Sequence, residues 1–247
     1  MLLNTQTCTD IADDLECGEN VVLGPNVTIG PGCALGNGVV IHADTRIGSG
    51  VRIDDNTVIG KLPMRSPISA VTRKVELEPC SIGDGCLIGA LVVIYRGAEI
   101  GSQTMIADQA SVREQTRIGR STIIGRGVAV ENKVEIGKLC KIETGAYITA
   151  LSSIGDSCFI APEVTFTNDQ FLGRTKERFL HHKGVTMLEG ARIGANATIL
   201  PGLTIGRDAL VAAGSIVPRD VPERTTVLGA PARRLRPVPV EQLLENQ

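Results

Sequence analysis

Only three side chains in this 247-residue chain titrate near neutrality, His42, His181 and His182. His181 and His182 are adjacent in the polar run RFLHHKG, and either could act as a general base if that run folded over a cleft. His42 stands alone among aliphatic residues and reads as a polar corner residue. A catalytic zinc of the three-histidine kind needs all three rings around one ion. Two adjacent histidines make a poor pair for that purpose, so no metal is expected. Seven cysteines are present with no CxxC pair, an odd number that does not suit a disulfide framework.

Charge and composition narrow the chemistry further. Lys and Arg number 25 against 27 Asp and Glu, a net charge of −2, so a general nucleic-acid surface is not expected. Four Phe, two Tyr and no Trp leave little for base stacking. No apolar run approaches the ~18 residues of a membrane span. The opening MLLNTQTCTD lacks the charged and apolar regions of a secretion signal. An odd cysteine count suits a reducing compartment, and a cytoplasmic location is the expectation.

The elements that must position any site are set by a repeat. An aliphatic residue recurs every six positions at Leu23, Ile29, Leu35, Ile41, Ile47, Ile53 and Ile59. The spacing resumes at Ile82 and holds fifteen times, to Phe166, then returns from Met187 to Val217. The fourth residue after each anchor is small or compact, as at Val27, Cys33, Cys86, Ala98, Thr104 and Ala110. Six is neither a helical period nor simple strand alternation; it suits a short strand and a corner, with anchor and small residue both turned inward. Cys33, Cys86, Cys140 and Cys158 occupy the small slot and read as core, while Cys8, Cys17 and Cys80 fall outside the pattern.

A longer period lies over the first. The residue after every third anchor is Gly83, Gly101, Gly119, Gly137 and Gly155, whereas the same slot on another side reads Tyr95, Arg113, Glu131, Thr149 and Thr167. The sides therefore return every 18 residues, which means three strands per coil and a triangular parallel β-helix of about nine coils. Residues 1–20 are expected to cap its start, 21–218 to form the column, and 219–247 to form a C-terminal tail and cap with a short helix in VEQLLENQ. Two insertions, 61–81 and 168–186, break the count, and loops thrown from a rigid scaffold are where function tends to sit.

The hexapeptide pattern over 23–217 resembles the left-handed β-helix acyltransferases. The ending AAGSIVPRDVPERTTVLGAPARRL is similar to the closing signature of their acetyl-coenzyme A-dependent members. The stretch FIAPEVTFTNDQFLGR, followed by a long loop and ARIGANATILPGLTIG, resembles the N-acetyltransferases that modify amino groups on nucleotide-linked sugars. The resemblance implies a homotrimer with sites in the clefts between columns. It also implies acetyl-coenzyme A as co-substrate, its pantetheine arm along the backbone near Ala195 and Ala213. Arg219, Arg233 and Arg236 match the residues that meet its phosphates, with Arg234 a further candidate; a planar guanidinium donates to phosphate bidentately.

Many of these relatives place a His base at the start of the loop after the TF-type strand, where this chain has Asn168 and Asp169. That departure favours an amine as acceptor. An amine with a pKa of roughly 7.7–8.0 is partly neutral at pH 7, while a hydroxyl is no nucleophile without help. Direct amine attack without a dedicated His is therefore expected. Asn168 would hold the sugar, and Asp169 would position the ammonium or accept its proton, unless the pair only shapes a turn. Arg174, Lys176, Arg178 and Lys183 in the second insertion, and Lys61, Arg65, Arg73 and Lys74 in the first, could draw in an anionic nucleotide or simply be solvated. Arg113 and Glu131, one coil apart, read as an ordinary ion pair. Another amine, a longer acyl donor, or a non-catalytic scaffold on the same repeat are the competing functions.

Overall fold

The computed structural model describes residues 10–64, 66 and 75–247. Strands of mostly two residues alternate with tight corners, and away from the two insertions and the C-terminal end each strand pairs in parallel with the one 18 positions on. Three sheets result. Face one runs from Asp10–Ile11 to Thr204–Ile205, face two from Glu16–Cys17 to Ala232–Pro237, and face three from Val22–Leu23 to Ile216–Val217. The register is anchor on anchor, as in Ile82↔Ile100, Ile88↔Ile106 and Ile94↔Val112. The chain is thus an all-β parallel β-helix, as the spacing predicts.

The column is longer than nine coils. Faces one and three each hold ten strands and face two holds twelve, giving ten full coils and part of an eleventh. The extra coil at the start falls in the segment expected as a cap, where Asp10–Ile11 and Glu16–Cys17 pair with Thr28–Ile29 and Ala34–Leu35. Ile11 and Cys17 keep the six-residue phase of Leu23, but acidic neighbours and a cysteine in an anchor slot hide it. At the other end, Val221 bridges Ile205, and Thr225–Gly229 continues face two before turning back as an antiparallel strand, Ala232–Pro237. The expected terminal helix is two 3-10 turns, Val240–Gln242 and Leu244–Asn246. Buried Val238 and Leu243 anchor this tail, and the Leu244 amide donates to Asp208 at 3.0 Å, so it lies along the side of the last coils.

The interior is a stack of aliphatic layers. Ile41, Ile59, Ile94, Ile124, Ile148 and Phe166 are among the fully buried anchors, each contributing roughly 1.5–3 kcal/mol by its removal from water. The small inward slots do a second job where they carry a hydroxyl or thiol. Thr104 donates to the Gly119 carbonyl at 3.1 Å, Thr122 to Gly137 at 2.9 Å, and Cys140 to Gly155 at 3.1 Å. The corner carbonyls of each coil are thereby satisfied from within. Cys80, outside the regular spacing, is fully buried and resumes this slot where the first insertion ends; burial pushes its thiol up to about 12. Cys8 lies outside the described residues.

Candidate active site

Both insertions leave the same edge of the triangle. The first follows the face-three strand Val58–Lys61 and the second the face-three strand Thr165–Phe166; each returns to face one. Between them, the corner joining face three to face one is built from the column Tyr95, Arg113, Glu131, Thr149 and Thr167 rather than from glycine. Coils stack at about 4.8 Å, so five successive coils place these side chains in a row.

That row is a charged, half-buried cluster. Arg113 meets Glu114 through two nitrogens, at 2.8 and 3.1 Å, and approaches the Glu131 carboxylate at 3.6 Å. Its guanidinium also lies 4.9 Å from the centre of the Tyr95 ring, with the Lys61 ammonium 5.4 Å from the same ring. The expected Arg113–Glu131 pair is therefore one arm of a larger group, whose shorter contact goes to Glu114. Glu114 is almost wholly buried. Burial pushes the Glu131 carboxyl up, Arg113 pulls it down, and Glu114 adds to the rise; the balance is upward. Tyr147, one coil above Glu131, is likewise raised by burial and by that carboxylate. Sequence reading missed Glu114, because the second corner slot is exposed at other corners, as at Arg120 and Lys138, and buried at this one, as at Asn132.

The second insertion is organised around Asp169. Its carboxylate accepts the amide protons of Phe171 at 2.9 Å and Gly173 at 3.0 Å, and it faces Arg178 at 3.2 Å and His182 at 3.8 Å. Burial alone would raise this carboxyl, but the two amides, Arg178 and His182 outweigh it and hold it below the usual carboxylate range. Asp169 is thus a fixed anion that shapes the loop, a poor proton acceptor. His182 is buried against it and against Phe179, whose ring lies 6.4 Å away. His181 ends the single helical turn Arg178–His181, near Glu177 at 3.6 Å and the Phe171 ring at 5.9 Å. The Asn168 carbonyl accepts from the Lys183 amide and ties the two ends of the loop together. Its side-chain amide makes no hydrogen bond among the described residues.

Of the basic side chains expected in the loops, Arg178 is engaged by Asp169 and Lys61 by Tyr95, while Arg174 and Lys176 are exposed. Arg65, Arg73 and Lys74 lie outside the described residues. His42 is exposed at the loop corner, well below the second insertion.

The C-terminal arginines form a separate group. In the terminal hairpin Arg233 faces Leu228, Arg234 faces Val227 and Arg236 faces Thr226, on the outermost strand of face two. All three are exposed, as is Arg219, and among the described residues none is paired with a carboxylate. Guanidiniums without a carboxylate partner fit phosphate oxygens without first breaking an ion pair, although Arg233 also donates to the Ala232 carbonyl at 3.2 Å. Ala195 and Ala213 lie one coil apart at the corner between faces two and three, where the Gly214 amide donates to the Ala195 carbonyl at 2.8 Å. The loop corner and the alanine corner are the two opposite edges of face three.

Comparison with known proteins agrees with this architecture. The model of the bacterial transferase hexapeptide (six repeats) matches residues 16–49 and 79–114. That of the hexapeptide repeat of succinyl-transferase matches 115–150 and 189–219. Together they account for more than half of the chain. No curated protein matches it. Among solved structures, PerB from Caulobacter crescentus, described in complex with CoA and GDP-perosamine, is similar at 27% identity, over 53% of this chain and 56% of that one, with a TM-score of 0.41. The chain thus spans little more than half the length of PerB. A UDP-N-acetylglucosamine acyltransferase from Francisella novicida is similar at 21% identity, over 95% of this chain and 70% of that one, with a TM-score of 0.49. By its repeats and its coiled parallel sheets, the chain belongs to the hexapeptide-repeat transferases.

Proposed function

We propose that this protein transfers an acetyl group from acetyl-coenzyme A to an amino group, that of a nucleotide-linked amino sugar, by direct attack of the amine on the thioester. The observation that carries the reading is the set of arginines without a carboxylate partner among the described residues, Arg233, Arg234 and Arg236 on the hairpin that closes face two and Arg219 just after the last strand of face three. A pure scaffold would need no such edge, which favours an enzyme over an assembly module. Asn168 and Asp169 in place of a histidine base favour an amine over a hydroxyl, since the fixed Asp169 anion can orient an ammonium without having to deprotonate an alcohol.

A homotrimer is part of the reading. Outward residues of face one are polar, including Arg46, Glu99, Arg117 and Glu135, whereas faces two and three expose Leu87, Met105 and Phe159, and Val22, Tyr147 and Ile216. Contact between copies through faces two and three would remove these side chains from water and leave the charged face one exposed. Among the described residues no helix is long and apolar enough to cross a membrane, and the six described cysteines are unbridged, which supports a cytoplasmic setting.

The test is calorimetric titration of coenzyme A and acetyl-coenzyme A into the folded protein, followed by thiol-release assays over a panel of nucleotide amino sugars. Micromolar binding and amine-dependent thiol release are expected. Absence of binding at millimolar ligand, with the oligomer intact, would overturn the reading. Release with a longer acyl donor alone would shift it to that donor.

A further inference from the structure

If Asp169 is held as a fixed anion, the proton carried by the substrate ammonium has to go elsewhere. Glu131 is the group built to receive it. It sits in the corner column between the two insertions, two coils before Thr167, where the second insertion begins. Its side chain is 26% exposed, enough for a ligand to reach it, unlike Glu114, which is sealed at 5%. Arg113 Nη1 lies 3.6 Å from Oε2 of Glu131, whereas the guanidinium donates to both oxygens of Glu114 at 2.8 and 3.1 Å. Glu131 Oε1 accepts no hydrogen bond from the described residues. One oxygen of a partly desolvated carboxylate is therefore open, on the edge of the column that carries both loops.

The charges around it are laid out to match. Arg113 already has a bidentate partner in Glu114, so its charge is only partly available to Glu131. Tyr95 and Lys61 close the far side of Arg113, and Tyr147 stands on the next coil above. An incoming ammonium would meet the Glu131 oxygen that Arg113 does not hold tightly.

We propose that Glu131 binds the ammonium of the acceptor substrate and takes its proton, an assignment that rests on the N-acetyl transfer reading above. In the step, one N–H bond breaks and its proton passes to the Glu131 carboxylate, leaving the nitrogen lone pair free. The nitrogen then bonds to the thioester carbonyl carbon and the C–S bond breaks. The second proton lost by nitrogen leaves with the thiolate as free coenzyme A, and the Glu131 proton is released to solvent. Burial and Glu114 raise the Glu131 carboxyl toward the pKa of an amine, which narrows the gap the proton has to cross, while Asp169 is shifted the opposite way.

The test compares wild type with Glu131→Gln and Glu131→Asp by the pH dependence of kcat/KM for the amine. With Glu131 present the ammonium form is productive, so wild-type kcat/KM stays nearly level from pH 9 down to the ionisation of the carboxyl. In Glu131→Gln only the free amine reacts, and kcat/KM falls about tenfold per pH unit below the substrate's own pKa, near the roughly 7.7–8.0 of an α-amino group. The deficit should reach about a hundredfold at pH 6.5 and shrink to a few-fold at pH 9. Glu131→Asp keeps the charge opposite Arg113 and should keep the wild-type profile at a reduced rate, which separates proton transfer from loss of fold. A deficit that is the same at every pH, or none, overturns the assignment while leaving N-acetyl transfer standing. A wild type that acetylates no amine removes the reading beneath it.

Discussion

The Asp169 carboxylate stands 3.2 Å from the Arg178 guanidinium and accepts two backbone amides of its own loop, so the second insertion is closed around one buried-edge anion. The sign of its shift follows: the folded carboxyl is depressed, so its contribution to loop order is fully present above about pH 4, the unfolded value. It is lost as pH falls through the lower, folded value. Asp169→Ala should free the Phe171 and Gly173 amides, speeding their hydrogen exchange by about tenfold or more. The substitution should also raise KM for the amine substrate, leaving the column's exchange as it was. Unchanged protection at those two amides would show that the loop holds itself by other means.

The hairpin arginines make a separable prediction. Arg233→Ala and Arg236→Ala should each weaken coenzyme A by about tenfold, the scale of a charge-assisted hydrogen bond. If they hold the 3′-phosphate, the loss should be much smaller for dephospho-coenzyme A, measured by the same titration. Equal losses for the two ligands would move these side chains to the pyrophosphate or off the donor altogether.

Glycine in the corner between faces one and two answers to close approach. A Cβ built on Gly119 would lie 2.5 Å from the Gly137 carbonyl carbon and the Lys138 nitrogen of the next coil. Backbone cannot yield as a side chain can, so Gly119→Ala should destabilise the column by about 1–3 kcal/mol. Gly127 has open space around it but a φ of +65°. There the cost of alanine is conformational alone, about 1–2 kcal/mol. Denaturant midpoints of the two variants would rank them, and a Gly119→Ala protein as stable as wild type would show that the coils can separate at that corner.

How far the sequence carried is plain from these positions. The coil, its three sides and both insertions were legible because one aliphatic residue every six positions has no other packing solution, and Gly119 and Glu131 fell in the same slot on different sides. The first coil was not legible, since Cys17 is a weak anchor amid acidic neighbours. The site was legible in its materials but not in its pairings. Asn168, Asp169, His181 and His182 could be named from the loop, yet the surroundings that set Asp169 and Glu131 apart, two backbone amides for the one and a half-buried place beside Arg113 for the other, could not. The Arg113–Glu131 contact follows from the 18-residue coil, but the partners of Asp169 lie 2 to 13 residues further along an insertion that has no repeat, so spacing alone cannot assign them.

The inward hydroxyls give the last prediction. Thr122 donates to the Gly137 carbonyl at 2.9 Å and accepts from the Cys140 amide at 3.1 Å, bridging two coils with one oxygen. Valine has nearly the same shape and fills the slot, so Thr122→Val removes no packing. It leaves a buried carbonyl and a buried amide without that partner, at a cost of about 1–3 kcal/mol. Because a solenoid's stability is largely a sum over neighbouring coils, the loss should be local. Hydrogen exchange should accelerate at Cys140 and its neighbours in the coils on either side, while Val27 and Val211, far along the column, keep their protection. Acceleration along the whole column would mean instead that it unfolds as one unit, and an unchanged Cys140 amide would show that the hydroxyl bridge adds nothing.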